Sequence, residues 1–347
     1  MSPQLLLLWI GEQKNPIKIN RQKDLVMDSV INYYKSSEPR LLYDPGKLFL
    51  DSGAFTARQQ GILLKREKVI EIQELFMPEK AVPLDYPFSP GMSLLHMRKM
   101  WEKTKQNIIF WQSSTRLRKK IVPVLHAWSK SSLISNLRWL QREADTDTIM
   151  LGSLVHPNFT SFSGFFGDRQ PRKELIDMLS LGIEAIRKYT DFKVHVTGFG
   201  SSPLTLHLAY YLGADSTDSA GYRRKAAYGK IILPGTGERY ISNRSACFGI
   251  SKIEDALELT WLAKCDCPVC KSNPELLTKD WKARAIHNEY VIKEEHERAK
   301  QLLEIGNDAY EAYLDSIYGR SSLKYLWEYA KLRKHYVRIS QLLLGET

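Results

Sequence analysis

The chain is poor in cysteine, with four in 347 residues, and three of the four fall between positions 265 and 270. So uneven a distribution excludes a dispersed disulfide framework and favours a metal site. No apolar run approaches the roughly 18–20 residues that a membrane-spanning helix requires. The apolar stretch Leu5–Ile10 is short, has no basic region before it and is followed by no small-residue cleavage site, so it reads as a buried strand and not as a leader. The expectation is a cytoplasmic protein with no membrane partner. Gly/Ser-rich linkers, low-complexity runs and internal repeats are also missing. Acidic residues are the minority: 50 Lys and Arg against 39 Asp and Glu give a formal charge of +11. That excess favours a polyanionic partner, because each neutralised phosphate releases condensed counterions.

What is present is a repeated alternation of short apolar segments and longer amphipathic ones. The spacing predicts strands at Leu5–Ile10, Lys47–Leu50, Ala81–Leu84, Ile121–Leu125, Thr148–Leu151, Lys193–Val196 and Asp215–Asp218. Helices are predicted at Lys65–Phe76, Leu94–Thr104, Ser131–Glu143, Arg172–Lys188 and Pro203–Leu212. Strand–helix alternation implies parallel βαβ units, and so many units in one chain of this length fit an α/β fold of the (β/α)8 TIM-barrel type.

Strand after strand ends in a residue able to do chemistry. Asp51 follows Leu-Phe-Leu, Asp85 follows Val-Pro-Leu, and His126 follows Pro-Val-Leu. Gly152-Ser153 follows Ile-Met-Leu, Gly198-Phe199-Gly200 follows Val-His-Val-Thr, and Asp218 closes Ala-Asp-Ser-Thr-Asp. Any one of these is commonly a turn residue or a helix N-cap. Three carboxylates at the ends where this fold carries its catalytic groups make that bland reading less attractive.

Beyond Asp218 the pattern changes. Lys230–Leu233 and Glu238–Ile241 around Pro234-Gly235-Thr236-Gly237 predict a β-hairpin. Cys265-Asp-Cys267-Pro-Val-Cys270 follows, and from about Trp281 the chain reads as helical. Three thiolates and one imidazole suit a tetrahedral, closed structural zinc site. Cys267-x-x-Cys270 is also a redox spacing, three cysteines can hold an iron–sulfur cluster, and both His287 and His296 are candidates for the fourth ligand. The basic segment Leu323–Leu344 is by default a solvated helix face, with nucleic-acid contact as the alternative. The expected organisation is a barrel over 1–245, a zinc-binding subdomain over 246–290 and C-terminal helices over 291–347.

Taken together these residues resemble the tRNA-guanine transglycosylase superfamily. Leu50-Asp51-Ser52-Gly53-Ala54-Phe55 is similar to its Asp-Ser-Gly-Gly-aromatic signature, and Gly213-Ala214-Asp215-Ser216-Thr217-Asp218 resembles its nucleophile segment. Cys265, Cys267 and Cys270 followed by His287-Asn288 resemble its zinc site, which favours His287 over His296. The resemblance implies Asp218 as covalent nucleophile, Asp51 as general acid/base, Asp85 as the carboxylate that reads guanine and a structural Zn2+. In the same pocket it places Ser52, Gly152, Ser153 and Gly198, Phe55 stacked on the flipped base, and His126 toward the 6-oxo group. Arg224 would contact phosphate, with Arg223 and Lys225 nearby.

The chain also departs from the family. Ala54 stands for the second glycine, Thr56 for a glutamine, His126 for another glutamine, Ser153 for a glycine and Thr197 for a pocket-closing methionine. These changes cluster in the base pocket and point to the DNA-guanine transglycosylases of 7-deazapurine DNA-modification systems. That branch implies DNA as substrate, 7-cyano-7-deazaguanine as incoming base, a partner ATPase that presents the DNA, and a homodimer. The alternatives are a divergent enzyme acting on tRNA, a non-catalytic nucleic-acid-binding barrel and a zinc-dependent hydrolase. Retention of both Asp51 and Asp218 argues against the second, and a metal site filled by protein ligands against the third.

Overall fold

A computed structural model describes residues 6–88, 91–154, 173–235, 237–241, 256–319, 321 and 323–343. Leu5, Arg172, Thr236, 242–255 and the Ser153 side chain, all part of sequence expectations, lie outside the described residues. Strands β1 (Leu7–Gly11), β2 (Asn20–Ser29), β3 (Asp44–Asp51), β4 (Lys80–Ala81), β5 (Val124–Ala127), β6 (Thr148–Leu154), β7 (Lys193–Val196) and β8 (Ser216–Ser219) pair in the order β4-β3-β2-β1-β8-β7-β6-β5, the sequential order of a (β/α)8 fold, so the expected α/β, TIM-barrel-like class is the one observed. No helix among the described residues is long and apolar enough to cross a membrane. The chain divides into two compact units, one made of Trp9–Ser161 with Leu181–Thr197, the other of Met1–Leu8, Phe162–Ser180 and Gly198–Thr347.

The first unit carries most of β1 (Leu7–Gly11) and all of β2 (Asn20–Ser29), β3 (Asp44–Asp51), β4 (Lys80–Ala81), β5 (Val124–Ala127), β6 (Thr148–Leu154) and β7 (Lys193–Val196). Its helices are α1 (Ala54–Gln59), α2 (Arg66–Phe76), α3 (Leu94–Ser114), α4 (Lys130–Glu143) and the end of α5 (Lys173–Tyr189). Every strand pair is parallel, with Ile10 opposite Val26, Ser29 opposite Asp51, Leu125 opposite Leu151 and Leu151 opposite Val196. Trp9, Met27, Phe49, Val82, Val122, Val124 and Met150 form one buried cluster, and the Trp9 and Phe49 rings meet edge to face at 5.2 Å. At about 25 cal/mol per Å2, side chains of this kind contribute roughly 1.5–3 kcal/mol each.

Three sequence expectations shift for local reasons. Pairing at β4 stops after Ala81 as the chain reaches Pro83, which has no N–H to donate, and Pro123 likewise delays β5 to Val124. Ile121 still joins Ala81 through an isolated parallel bridge. The third helix runs past Thr104 to Ser114 because no glycine or proline interrupts it, and Ser93 caps its start by accepting from the His96 N–H. Strand β2 has no counterpart in the sequence reading: Asn-Arg-Gln-Lys-Asp opens it with polar residues, and only Val26 and Met27 signal burial. Its polar start is satisfied internally, with buried Arg21 donating through Nε to Glu12 at 2.8 Å and through Nη1 to Asp24 at 2.9 Å.

The second unit holds the start of β1, β8 (Ser216–Ser219), the hairpin β9 (Lys230–Ile232) and β10 (Glu238–Tyr240), and helices α6 (Pro203–Tyr211), α7 (Gly221–Ala227), α8 (Ala256–Ala263), α9 (Pro268–Ser272), α10 (Leu276–Lys279), α11 (Trp281–Ile305), α12 (Asn307–Tyr318) and α13 (Lys324–Leu343). The hairpin is antiparallel, with Arg239 opposite Ile231. Helix α6 is apolar on every side and wholly buried, and its start is fixed by Pro203 and the reciprocal Ser202–Thr205 capping box. Stacked Tyr318 and Trp327 rings, 5.5 Å apart, join α12 to α13.

Candidate functional site

In the first unit, three predicted residues meet at strand ends. Asp85 is buried; Ser52 Oγ donates to its Oδ1 at 3.2 Å and His126 Nε2 lies 2.9 Å from its Oδ2. Asn136 Nδ2 donates to the His126 carbonyl at 2.8 Å, tying that strand end to α4. Gly152 is the floor under His126: a Cβ there would stand 2.8 Å from two ring atoms and 2.3 Å from Val124. A side chain at 152 would displace the imidazole from Asp85. Phe88 packs against His126 at 5.1 Å between ring centroids.

Asp51 ends β3. Its Oδ2 accepts from Gly53 N–H at 2.8 Å and from Ser29 Oγ at 3.2 Å. Gly53 has φ +81, and a Cβ there would sit 2.7 Å from the Ile31 Cβ and 2.9 Å from the Ser29 hydroxyl. Glycine is required on both counts. Phe55, in the first turn of α1, is about half exposed.

In the second unit, Asp218 sits within β8 and is buried. The Gly198 N–H donates to its Oδ1 at 2.6 Å, and Gly200 N–H donates to Thr217 Oγ1 at 3.1 Å. The Gly198-Phe199-Gly200 turn therefore lies directly on the carboxylate-bearing strand. A Cβ on Gly200 would come within 2.6 Å of the Asp218 carbonyl oxygen, which explains the second glycine of that turn.

Cys265, Cys267, Cys270 and His287 bring their ligand atoms within 4.8 Å of one another. His287 Nδ1 lies 3.6, 3.4 and 3.5 Å from the sulfurs of Cys265, Cys267 and Cys270. His287 Nε2 contacts the Ile232 carbonyl at 2.9 Å, which fixes the ring with Nδ1 toward the sulfurs. Burial opposes the His287 cation, but the Cys265 and Cys267 sulfurs outweigh it and push the imidazole up to about 9. Hydrogen bonds from Cys265 and Cys270 hold the Cys267 thiol far below the ordinary range. Three sulfurs and one imidazole nitrogen converging in this way are a soft, four-donor set, which fits a metal of the zinc type. His296 stands apart from this cluster: its Nδ1 meets Tyr210 OH at 2.8 Å, and burial pushes it down to about 4. Among the described residues His287 is therefore the histidine that joins the three cysteines in a cluster able to hold a metal.

The neighbouring Asn288 spans the surrounding elements. Its Oδ1 accepts from Ile232 N–H at 2.7 Å, and its Nδ2 donates to the Tyr222 and Lys230 carbonyls at 3.1 and 3.2 Å. Together His287 and Asn288 fasten α11 to the hairpin and to α7. Ile231, Leu233, Cys267, Val269, Leu277 and Ala283 form the apolar core beneath.

Residues 47–322 match the family described as Queuine tRNA-ribosyltransferase. This chain belongs to that family. It is similar to the tRNA-guanine(15) transglycosylase of Pyrococcus abyssi, 27% identical over 307 residues, covering 82% of this chain and 46% of that protein. The tRNA-guanine(15) transglycosylases of Methanococcus aeolicus and Sulfolobus acidocaldarius are each 27% identical, covering 74% and 83% of this chain and 37% and 52% of theirs. The chain thus spans about half or less of the length of these relatives.

Within this chain the three basic residues after Asp218 occupy different settings. Arg224 is exposed; Arg223 is buried, and burial lowers its pKa; Lys225 Nζ pairs with Glu238 at 2.8 Å. Thr197 Oγ1 is buried without a hydrogen-bond partner among the described residues. Ser29 and Asp28, which precede the family match at residue 47, were not flagged by the sequence, and no spacing signal marks the buried Asp28 that the Tyr33 and Tyr43 hydroxyls serve.

Proposed function

We propose that this chain exchanges a guanine base in nucleic acid for another base through a covalent glycosyl-aspartate intermediate. The observation that carries the reading is Asp218: a buried carboxylate at a strand end, held by the Gly198 N–H within the family match. The Asp218 carboxylate attacks C1′ as the C1′–N9 bond breaks through an oxocarbenium-like transition state, and the sugar is retained as an ester. Asp51 supplies a proton to the departing guanine and takes one from the incoming base, whose N9 then displaces the Asp218 carboxylate. Two displacements at one carbon give net retention.

Asp85 reads guanine by accepting from N1–H and the exocyclic amine, and a base without those donors leaves a buried acceptor unpaired at about 1–3 kcal/mol per group. Ser52, His126, Gly152, Ser153 and Gly198 complete the pocket, Phe55 stacks on the flipped base, and Arg224 contacts phosphate with Arg223 and Lys225 behind it. Cys265, Cys267, Cys270 and His287 would hold a Zn2+ that fastens the tail, a closed four-ligand set with no open position for catalysis. The functional division into 1–245, 246–290 and 291–347 belongs to the same proposal.

For the polymer, the named relatives support tRNA. A second reading, DNA with 7-cyano-7-deazaguanine as incoming base, a partner ATPase and a homodimer, rests on the departures from the family at Ala54, Thr56, His126, Ser153 and Thr197. Incubation with labelled guanine or labelled 7-cyano-7-deazaguanine and a mixture of duplex DNA and total tRNA, followed by DNase or RNase, separates the two. Label released by RNase supports the tRNA reading, label released by DNase the DNA reading, and label in neither polymer contradicts base exchange by this chain alone.

A further inference from the structure

Asp28 is an expensive residue for a strand interior. It is 3% exposed at the penultimate position of β2, where a carboxylate loses its hydration. Four donors offset that loss. Ser29 N–H and Asn32 Nδ2 reach Oδ1 at 2.7 and 2.6 Å, and the hydroxyls of Tyr33 and Tyr43 both reach Oδ2 at 2.7 Å. Burial still holds the Asp28 carboxyl above the ordinary aspartate range, and burial also raises Tyr33 and Tyr43. An apolar residue would fill the position at lower cost, so the cluster orders something that packing alone would not.

What it orders is the end of β2. Its acceptors fix the Ser29 backbone and the following turn of Val30–Asn32. Parallel register places Ser29 directly opposite Asp51, and the Ser29 hydroxyl donates to Asp51 Oδ2, the oxygen that also receives Gly53 N–H. The two donors approach from different elements, one from the neighbouring strand and one from the turn after β3, and so set the rotation of the carboxylate. The close approach of Gly53 to Ser29 and Ile31 presses that turn against the same segment.

We infer that Ser29 is a positioning residue for Asp51, held in place by the buried Asp28–Tyr33–Tyr43 cluster. The inference rests on the base-exchange reading for its consequence and on β2–β3 geometry for its substance. Ser29 touches no reacting atom; it acts through the carboxylate it orients. Asp28 acts one step further back, through the backbone of Ser29.

The test uses the full chain with Ser29→Ala and Ser29→Thr, and two independent readouts. In Ser29→Ala, kcat for base exchange falls about 3- to 10-fold with KM unchanged, the scale of the net contribution of one ordinary hydrogen bond, and Ser29→Thr restores it. In the same proteins labelled with 13C at aspartate side-chain carboxyls, the Asp51 resonance, assigned by its loss in Asp51→Asn, moves in Ser29→Ala and returns in Ser29→Thr. An unmoved Asp51 resonance overturns the inference whatever the activity, as does a kcat equal to that of the parent. A parent chain without exchange activity overturns the base-exchange reading instead, and the resonance then decides the positioning role by itself.

Discussion

His126 Nε2 and Asp85 Oδ2 lie 2.9 Å apart with both residues buried, and Gly152 leaves the space that lets the ring lie there. Replacing His126 by Ala removes one partner of a buried carboxylate and leaves a cavity. The unfolding free energy should fall by about 1–3 kcal/mol, and guanine binding should weaken with it if Asp85 reads the base. His126→Gln, which keeps an N–H donor, should recover part of both. Denaturant unfolding and base titration measure the two effects.

Gly200 and Gly198 sit in one turn but should respond differently. A Cβ at Gly200 would meet the Asp218 backbone at 2.6 Å, and backbone yields less readily than a side-chain tip. Gly200→Ala should therefore cost roughly 1–3 kcal/mol of stability and at least tenfold in exchange rate. At Gly198 nothing lies within 4 Å of the added carbon, and only the φ of +79 opposes it. Gly198→Ala should cost about 1 kcal/mol and keep the N–H that serves Asp218. Equal effects of the two substitutions would contradict the packing described.

Much of the strand-end chemistry was legible in sequence: Asp51 closes β3, His126 and Asp218 are the next-to-last residues of β5 and β8, and Asp85 follows the apolar segment Ala81–Leu84 beyond the short β4. The cysteine cluster was legible from spacing, but spacing left His287 and His296 as competitors. Structure separates them, since α11 places His287 toward the cysteines and leaves His296 to Tyr210. Strand β2 was not legible. Its polar first half carries no period-two signal, because Arg21 and Glu12 satisfy each other inside the protein and a buried ion pair reads in sequence as surface. Asp28 was hidden for the same reason: its hydroxyl partners come from positions 33 and 43, which only the fold brings to it.

For the metal cluster, Cys267→Ala should lower bound zinc and melting temperature together, because Cys267 also caps α9 by accepting from Cys270 N–H. His296→Ala should leave zinc stoichiometry at the parent value. Metal analysis beside thermal unfolding reads both, and an unchanged melting temperature in Cys267→Ala would mean that the cluster does not stabilise the fold.

Buried His296 has a pH signature of its own. Burial lowers its pKa from 6.5 to about 4 in the folded chain, so the unfolded chain binds the proton more readily. Its contribution is complete above about pH 6.5 and is lost as pH falls toward about 4, amounting to about 3 kcal/mol. His296→Asn should flatten the fall in unfolding free energy across that window. An acid limb identical to that of the parent would show that His296 does not carry it.

The most direct test of the account is whether a sugar becomes attached to Asp218. The chain is mixed with the nucleic acid that accepts labelled base, quenched in denaturant, digested with nuclease and protease, and the peptides are weighed. The account predicts a nucleotide lacking its base on the peptide containing Asp218, released by added guanine and absent in Asp218→Asn. An adduct on another residue, or base exchange surviving in Asp218→Asn, would contradict it.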